Sequence, residues 1–144
     1  MDRNDPDQEP SNELHLGIGE LDDQHQAFFL HVVGLRRALI EGSGGREKLM
    51  KTLRFLDTFI AEHFSAEEKY MRRYNYPGIL LHKTEHQSFI RSVAEFKQTF
   101  LDLDARGEVT SFLTIDVMRR LEQWLTEHIR TVDRKMAEFL TEKM

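Results

Sequence analysis

The run HKTEH at residues 82–86 sets two histidines four apart, with a glutamate just before the second. That is the H-x-x-E-H spacing of a catalytic zinc site, in which His82 and His86 would hold the metal and Glu85 would act as base. Other metal-ligating residues lie elsewhere in the chain. His63 precedes Glu67 by four residues, His128 precedes Asp133 by five, and His25 stands in DDQHQ. Residues four apart on a helix point the same way, so each close pair can address one point. A two-histidine zinc hydrolase would leave His25, His63, Glu67 and His128 unexplained.

The elements that must position these residues follow from the punctuation. Strong breaks fall at GSGG (42–45), YNYPG (74–78) and DARGE (104–108). They leave four segments, each long enough for a helix of roughly 30–45 Å. Each segment carries an apolar stripe with alternating steps of three and four. The stripes read Leu21, His25, Phe28, Val32, Leu35, Leu39; then Leu49, Leu53, Leu56, Ile60, His63, Glu67, Tyr70. The third reads Ile79, His82, His86, Phe89, Val93, Phe96, Phe100, Leu103, and the fourth Met118, Leu121, Leu125, His128, Val132, Met136, Phe139. Such seams pack lengthwise on one another. Four of them with short connections predict an all-α, up-down-up-down antiparallel four-helix bundle over residues 14–144. Residues 1–13 are polar and rich in Asp, Asn and Pro, and are expected to form a flexible, extended N-terminal arm.

The seams contain an anomaly. Of seven histidines in the chain, His25, His63, His82, His86 and His128 fall on the apolar stripes, and Glu67 joins them. A single buried histidine can be satisfied by a neighbour, but burying an unpaired carboxylate costs several kcal/mol, and a cluster of imidazoles finds no partner in an apolar core. A metal would satisfy all of them together. Counted from the breaks, the ligands of neighbouring antiparallel helices fall at matching heights, so the four helices converge on one site. His15 precedes the first helix and His31 lies off its seam; both read as surface or capping residues.

One ion cannot use so many ligands and remain reactive. If Glu67 and Asp133 each bridge two metals and the five histidines bind terminally, a bridging oxide or hydroxide completes all but one position on two octahedral ions. Imidazole with carboxylate in bridged octahedral pairs points to iron, and the open position is where a small molecule could bind. Asp133 demands a further device. Five residues of regular helix turn by about 500°, which leaves Asp133 about 140° away from His128. A π-helical widening is expected between them.

Composition narrows the alternatives. The net charge is −5, which offers no basic face to nucleic acid or to an anionic membrane. There is no cysteine, which removes disulfides, thiolate sites and cysteine nucleophiles. The first residues lack the basic start and apolar run of a secretion signal, so a cytoplasmic location is expected. The polar helix faces, with Glu62, Glu68, Arg72 and Arg73, suggest a monomer.

The segments DDQHQAFF, HFSAEEKYM, YPGILLHKTEHQSF and WLTEHIRTVD closely resemble the hemerythrins, especially single-domain bacterial ones. The resemblance spans about residues 14 to 140 and every ligand spacing agrees. It implies a non-haem di-iron centre that binds O2 reversibly and holds it as hydroperoxide on the iron with the open site. It assigns His82, His86 and His128 to one iron, His25 and His63 to the other, and makes Glu67 and Asp133 the bridges. Phe64, Trp124, Leu125 and Ile129 would form the apolar wall of the O2 pocket, which keeps the site dry. One departure is visible: bacterial members often carry a tryptophan shortly before the Gly-Ile leading into the first helix, whereas ELHLGIGELD has Leu14 and His15 there.

Two functional classes follow. One is a binding protein for O2, with NO or small anions as other ligands, serving storage, delivery or sensing. The other is a di-iron enzyme acting on peroxide, nitric oxide or ferrous iron. On the first, HKTEH supplies two of three histidines on one iron, and Glu85 is a surface or outer group rather than a base.

Overall fold

The computed structural model describes residues 14–144; the arm expected at residues 1–13 lies outside them. Six α-helices and two π-helical turns make four rods. The first rod is α1 (Gly19–Glu41). The second runs from α2 (Gly45–Phe59) through a π turn (Ile60–Phe64) into α3 (Ser65–Arg73). The third is α4 (Ile79–Ala105). The fourth runs from α5 (Ser111–His128) through a second π turn (Ile129–Asp133) into α6 (Arg134–Lys143). α1 packs on α2 and α5, α4 packs on α2, α3 and α5, and α3 meets α6. This is the expected antiparallel bundle, and the described residues contain no strand.

Local chemistry sets the ends of the rods. Gly42 closes α1 at φ 73°, a left-handed conformation that costs a residue without Cβ least. Thr110 caps α5, its hydroxyl accepting from the Leu113 N–H at 3.1 Å. Before α1, the Asp22 carboxylate accepts from the N–H groups of Leu16 (2.7 Å) and Gly17 (3.0 Å). That folds the leading segment back onto the bundle, where Leu14, Leu16 and Ile18 enter the core. Arg134 donates to the His15 carbonyl across the same junction. In this chain, aliphatic residues therefore fill the region just before the first helix.

The π turns alter which residues face inward. A regular period puts Ile60, Val132 and Phe139 on the seam, but all three are half-buried. Phe59 is buried beside Ile60, and Asp133, Ala137 and Leu140 are buried beside the other two. One extra residue per turn rotates everything after it by about 100°, which is what carries Asp133 to the interior. The central core is aromatic, with Phe28 edge-on to Phe59 at 5.0 Å and Phe89 flat on Trp124 at 3.8 Å. Each such side chain fully buried contributes about 1.5–3 kcal/mol and fixes the relative heights of the rods.

Candidate metal centre

All seven expected ligands meet inside the bundle, towards the end where α1 and α4 begin. His25 comes from α1, His63 from the first π turn, Glu67 from α3, His82 and His86 from α4, His128 from the end of α5 and Asp133 from the second π turn. None is more than 3% exposed, and Glu67 and Asp133 are at 0%. They form two groups whose ligand atoms lie within 4.8 Å of one another: Glu67, His82, His86, His128 and Asp133, and His25, His63, Glu67 and Asp133. The two carboxylates belong to both groups. Three histidines stand on one side and two on the other.

The contacts run through the Nε2 atoms. His63 Nε2 is 2.6 Å from Glu67 Oε1, and His82 Nε2 is 2.7 Å from Glu67 Oε2. Asp133 Oδ1 is 2.9 Å from His128 Nε2 and 3.1 Å from His82 Nε2, while Oδ2 is 3.2 Å from His25 Nε2. The expected widening between His128 and Asp133 is the second π turn, and it brings the two side chains together despite their five-residue spacing.

Proximity does not satisfy these atoms. Among the described residues, eleven buried side-chain nitrogen and oxygen atoms lack a hydrogen-bond partner, and every one belongs to this cluster. They include both oxygens of Glu67 and of Asp133, and the Nε2 atoms of His82, His86 and His128. Each such atom costs about 1–3 kcal/mol if left alone. The carboxylate oxygens and Nε2 atoms among them, concentrated in one place with their lone pairs, are what a metal of borderline hardness accepts. The donor set therefore fits a metal pair sharing two carboxylates.

Charge in the cluster follows the same logic. Burial pushes the Glu67 carboxyl up, but His63, His82 and His86 outweigh it and hold it well below the ordinary carboxylate range. Burial and the neighbouring Glu67 push Asp133 up, and His128 and His25 bring it down to about 2. Burial lowers His82, yet Asp133 and Glu67 raise it to about 9, whereas burial keeps His86 lowered. Both carboxylates are thus held as anions in a dry interior, where a cation is their natural counter-charge.

Around the cluster, Phe64 lies flat on His86 at 3.8 Å and Trp124 lies flat on His128 at 4.5 Å. Both stack on the three-histidine side. Leu125 and Ile129 are fully buried, Phe64 is nearly so, and Trp124 is half-buried. One residue escaped the sequence reading. Gln24 places Oε1 2.5 Å from His63 Nδ1, which fixes that nitrogen as the proton donor and leaves Nε2 with its lone pair turned inward. Its only signal in the sequence is its position next to His25. Of the remaining histidines, His15 is exposed and 3.2 Å from Asp22. His31 is half-buried and stacked on Phe55 at 4.0 Å, away from the cluster. Glu85 is exposed.

A model of the hemerythrin HHE cation binding domain matches residues 16–140. The chain belongs to the hemerythrin family. A bacteriohemerythrin of Clostridium acetobutylicum is 29% identical over 127 residues, covering 86% of this chain and 94% of that protein. One of Methylococcus capsulatus is 30% identical over 122 residues, covering 85% and 87%. A hemerythrin chain of Sipunculus nudus is 28% identical over 121 residues, covering 84% and 83%. Among solved structures, wild-type hemerythrin superposes with a TM-score of 0.72 at 28% identity, covering 91% of this chain and 95% of that one. A leucine-to-tyrosine hemerythrin variant gives 0.75 at 27% identity, covering 94% and 98%. No helix among the described residues is long and apolar enough to cross a membrane.

Proposed function

We propose that residues 14–144 act as one O2-binding unit, in which His25, His63, Glu67, His82, His86, His128 and Asp133 hold two iron ions. Glu67 and Asp133 are shared between the irons, together with a bridging oxide or hydroxide. As a family member the chain is a binding protein rather than an enzyme. The observation that carries the reading is the confinement of all eleven unpartnered buried atoms to this one cluster. When bound there, the iron pair supplies the two electrons that O2 takes up on binding and returns on release.

The protein's own residues do the rest. His82, His86 and His128 crowd one side and leave less room there, while His25 and His63 offer two nitrogens on the other, which is the side proposed to admit O2. Gln24 holds His63 in the required tautomer. Glu67 and Asp133 bring only two negative charges and the five imidazoles are neutral, so the side chains would offset only part of the charge of two iron ions and leave the loaded site open to an anion-like ligand. Phe64, Trp124, Leu125 and Ile129 exclude water, which slows proton-assisted loss of the ligand and oxidation of the metals. Metal analysis tests the assignment: the purified chain carries two irons, and His128→Ala carries fewer and is less stable. Full retention of both irons in that variant would remove His128 from the set.

A further inference from the structure

Glu85, the glutamate of HKTEH, has no part in the cluster, yet it borders a cavity that reaches it. A cavity of about 340 Å³ opens between the start of α4 and the second π turn, bounded in part by Tyr76, Leu81, His82, Glu85, Thr131 and Lys135. His82 is 1% exposed, and neither of its ring nitrogens has a hydrogen-bond partner. A buried candidate ligand therefore stands in the wall of a solvent-open cavity. Glu85 is exposed on the same wall, three residues further along α4, and so neighbours His82 on that helix face. Lys135 brings the opposite charge from α6. A second cavity, of about 270 Å³, lies beside Trp124, and there the indole stacked on His128 separates solvent from the ligand.

A hydrated dication must cross the protein surface to reach seven side chains that are all nearly solvent-free. It can shed water cheaply only where protein oxygen and nitrogen replace it in sequence. We propose that the cavity between α4 and the second π turn is the inlet for ferrous iron, with Glu85 meeting the hydrated ion at the mouth and His82 taking it inward. Lys135 repels the ion at the same mouth and limits the rate. The inlet rests on the metal-binding part of the proposed function and not on O2 binding.

The test uses the full chain stripped of metal and mixed anaerobically with ferrous iron at low ionic strength. Uptake is followed through the fluorescence of Trp124, the sole tryptophan, and the final iron content is measured. Glu85→Lys slows uptake by roughly three- to tenfold, Lys135→Glu speeds it, and both effects shrink in high salt. Glu127→Lys, which makes the same charge change at the cavity beside Trp124, leaves the rate as in the wild type. All four proteins reach the same iron content. In the iron-loaded chain, exchange of bound iron for labelled iron follows the same order, because an inlet is also an outlet. An unchanged rate in Glu85→Lys, an equal slowing in Glu127→Lys, or a lower final iron content in Glu85→Lys would overturn the inlet. Two irons taken up at a rate indifferent to Glu85 sinks the inlet alone, whereas no uptake by the wild type sinks the metal reading with it.

Discussion

At the scale of single residues, the centre depends on how each imidazole is aimed. Gln24 is the clearest case, because its Oε1 accepts from His63 Nδ1. Gln24→Leu keeps the bulk and removes the acceptor. Iron affinity, measured by competition with a chelator, falls by about 10–100-fold while helical content is retained; unchanged affinity would show that packing alone orients His63. Leu125 tests the dry wall. Leu125→Ala removes a fully buried side chain, costs about 2–5 kcal/mol of stability, and speeds autoxidation with iron content near normal. An unchanged autoxidation rate would take Leu125 out of the wall. Six of the seven clustered residues were legible in the sequence, because a polar residue at an apolar-period position is conspicuous, and Asp133 was legible only through its spacing from His128. Gln24 was not, since a glutamine beside a histidine has no periodic signature and its role exists only through a contact 39 residues away.

At the scale of elements, the π turn at Ile129–Asp133 is the device that makes a five-residue spacing workable. Inserting one alanine after Thr131, which is exposed, lengthens the spacing from His128 by one residue beyond what the π turn absorbs and rotates Asp133 by about 100° away from the cluster. The variant stays helical and loses iron; retention of both irons would mean that Asp133 is no ligand. This widening could be anticipated because a candidate ligand, Asp133, stood in the wrong phase. The π turn at Ile60–Phe64 could not, since His63 and Glu67 are four apart and looked regular, and only the burial of Phe59 in place of Ile60 betrays it. Away from the site, Arg46 makes a two-pronged hydrogen bond to Asp104, tying the start of α2 to the end of α4. The Arg46 hydrogen bond lowers the Asp104 pKa below its ordinary 3.8, so the pair stabilises the fold above that value and loses its effect as pH falls through the lower folded one. The gap in urea midpoint between the wild type and Arg46→Ala is small at neutral pH, since the pair is exposed, and narrows further below pH 3.8. A gap independent of pH would contradict the pairing.

At the scale of the whole molecule, four rods enclose a polar cluster that an apolar core cannot satisfy, so the fold and the metal support one another. Removal of iron leaves both oxygens of Glu67 and of Asp133 and the Nε2 atoms of His82, His86 and His128 without partners, and calorimetry of the loaded and stripped chains gives the stripped one the lower Tm. Equal transition temperatures would mean that the cluster is satisfied without metal. The bundle itself could be read from periodicity, because each rod's seam continues across its whole length and the breaks are unambiguous. The cavity that leads to His82 could not, since it arises where α4 passes the second π turn, two segments some 50 residues apart in sequence.

The visible spectrum of the anaerobically reduced, iron-loaded chain, recorded before and after air is admitted and again under vacuum, tests the central claim most directly. A colourless protein that gains a charge-transfer band in air, loses it under vacuum and regains it in a second cycle is the result expected of reversible O2 binding at this centre. Immediate oxidation of both irons, with no band that vacuum can remove, would contradict it.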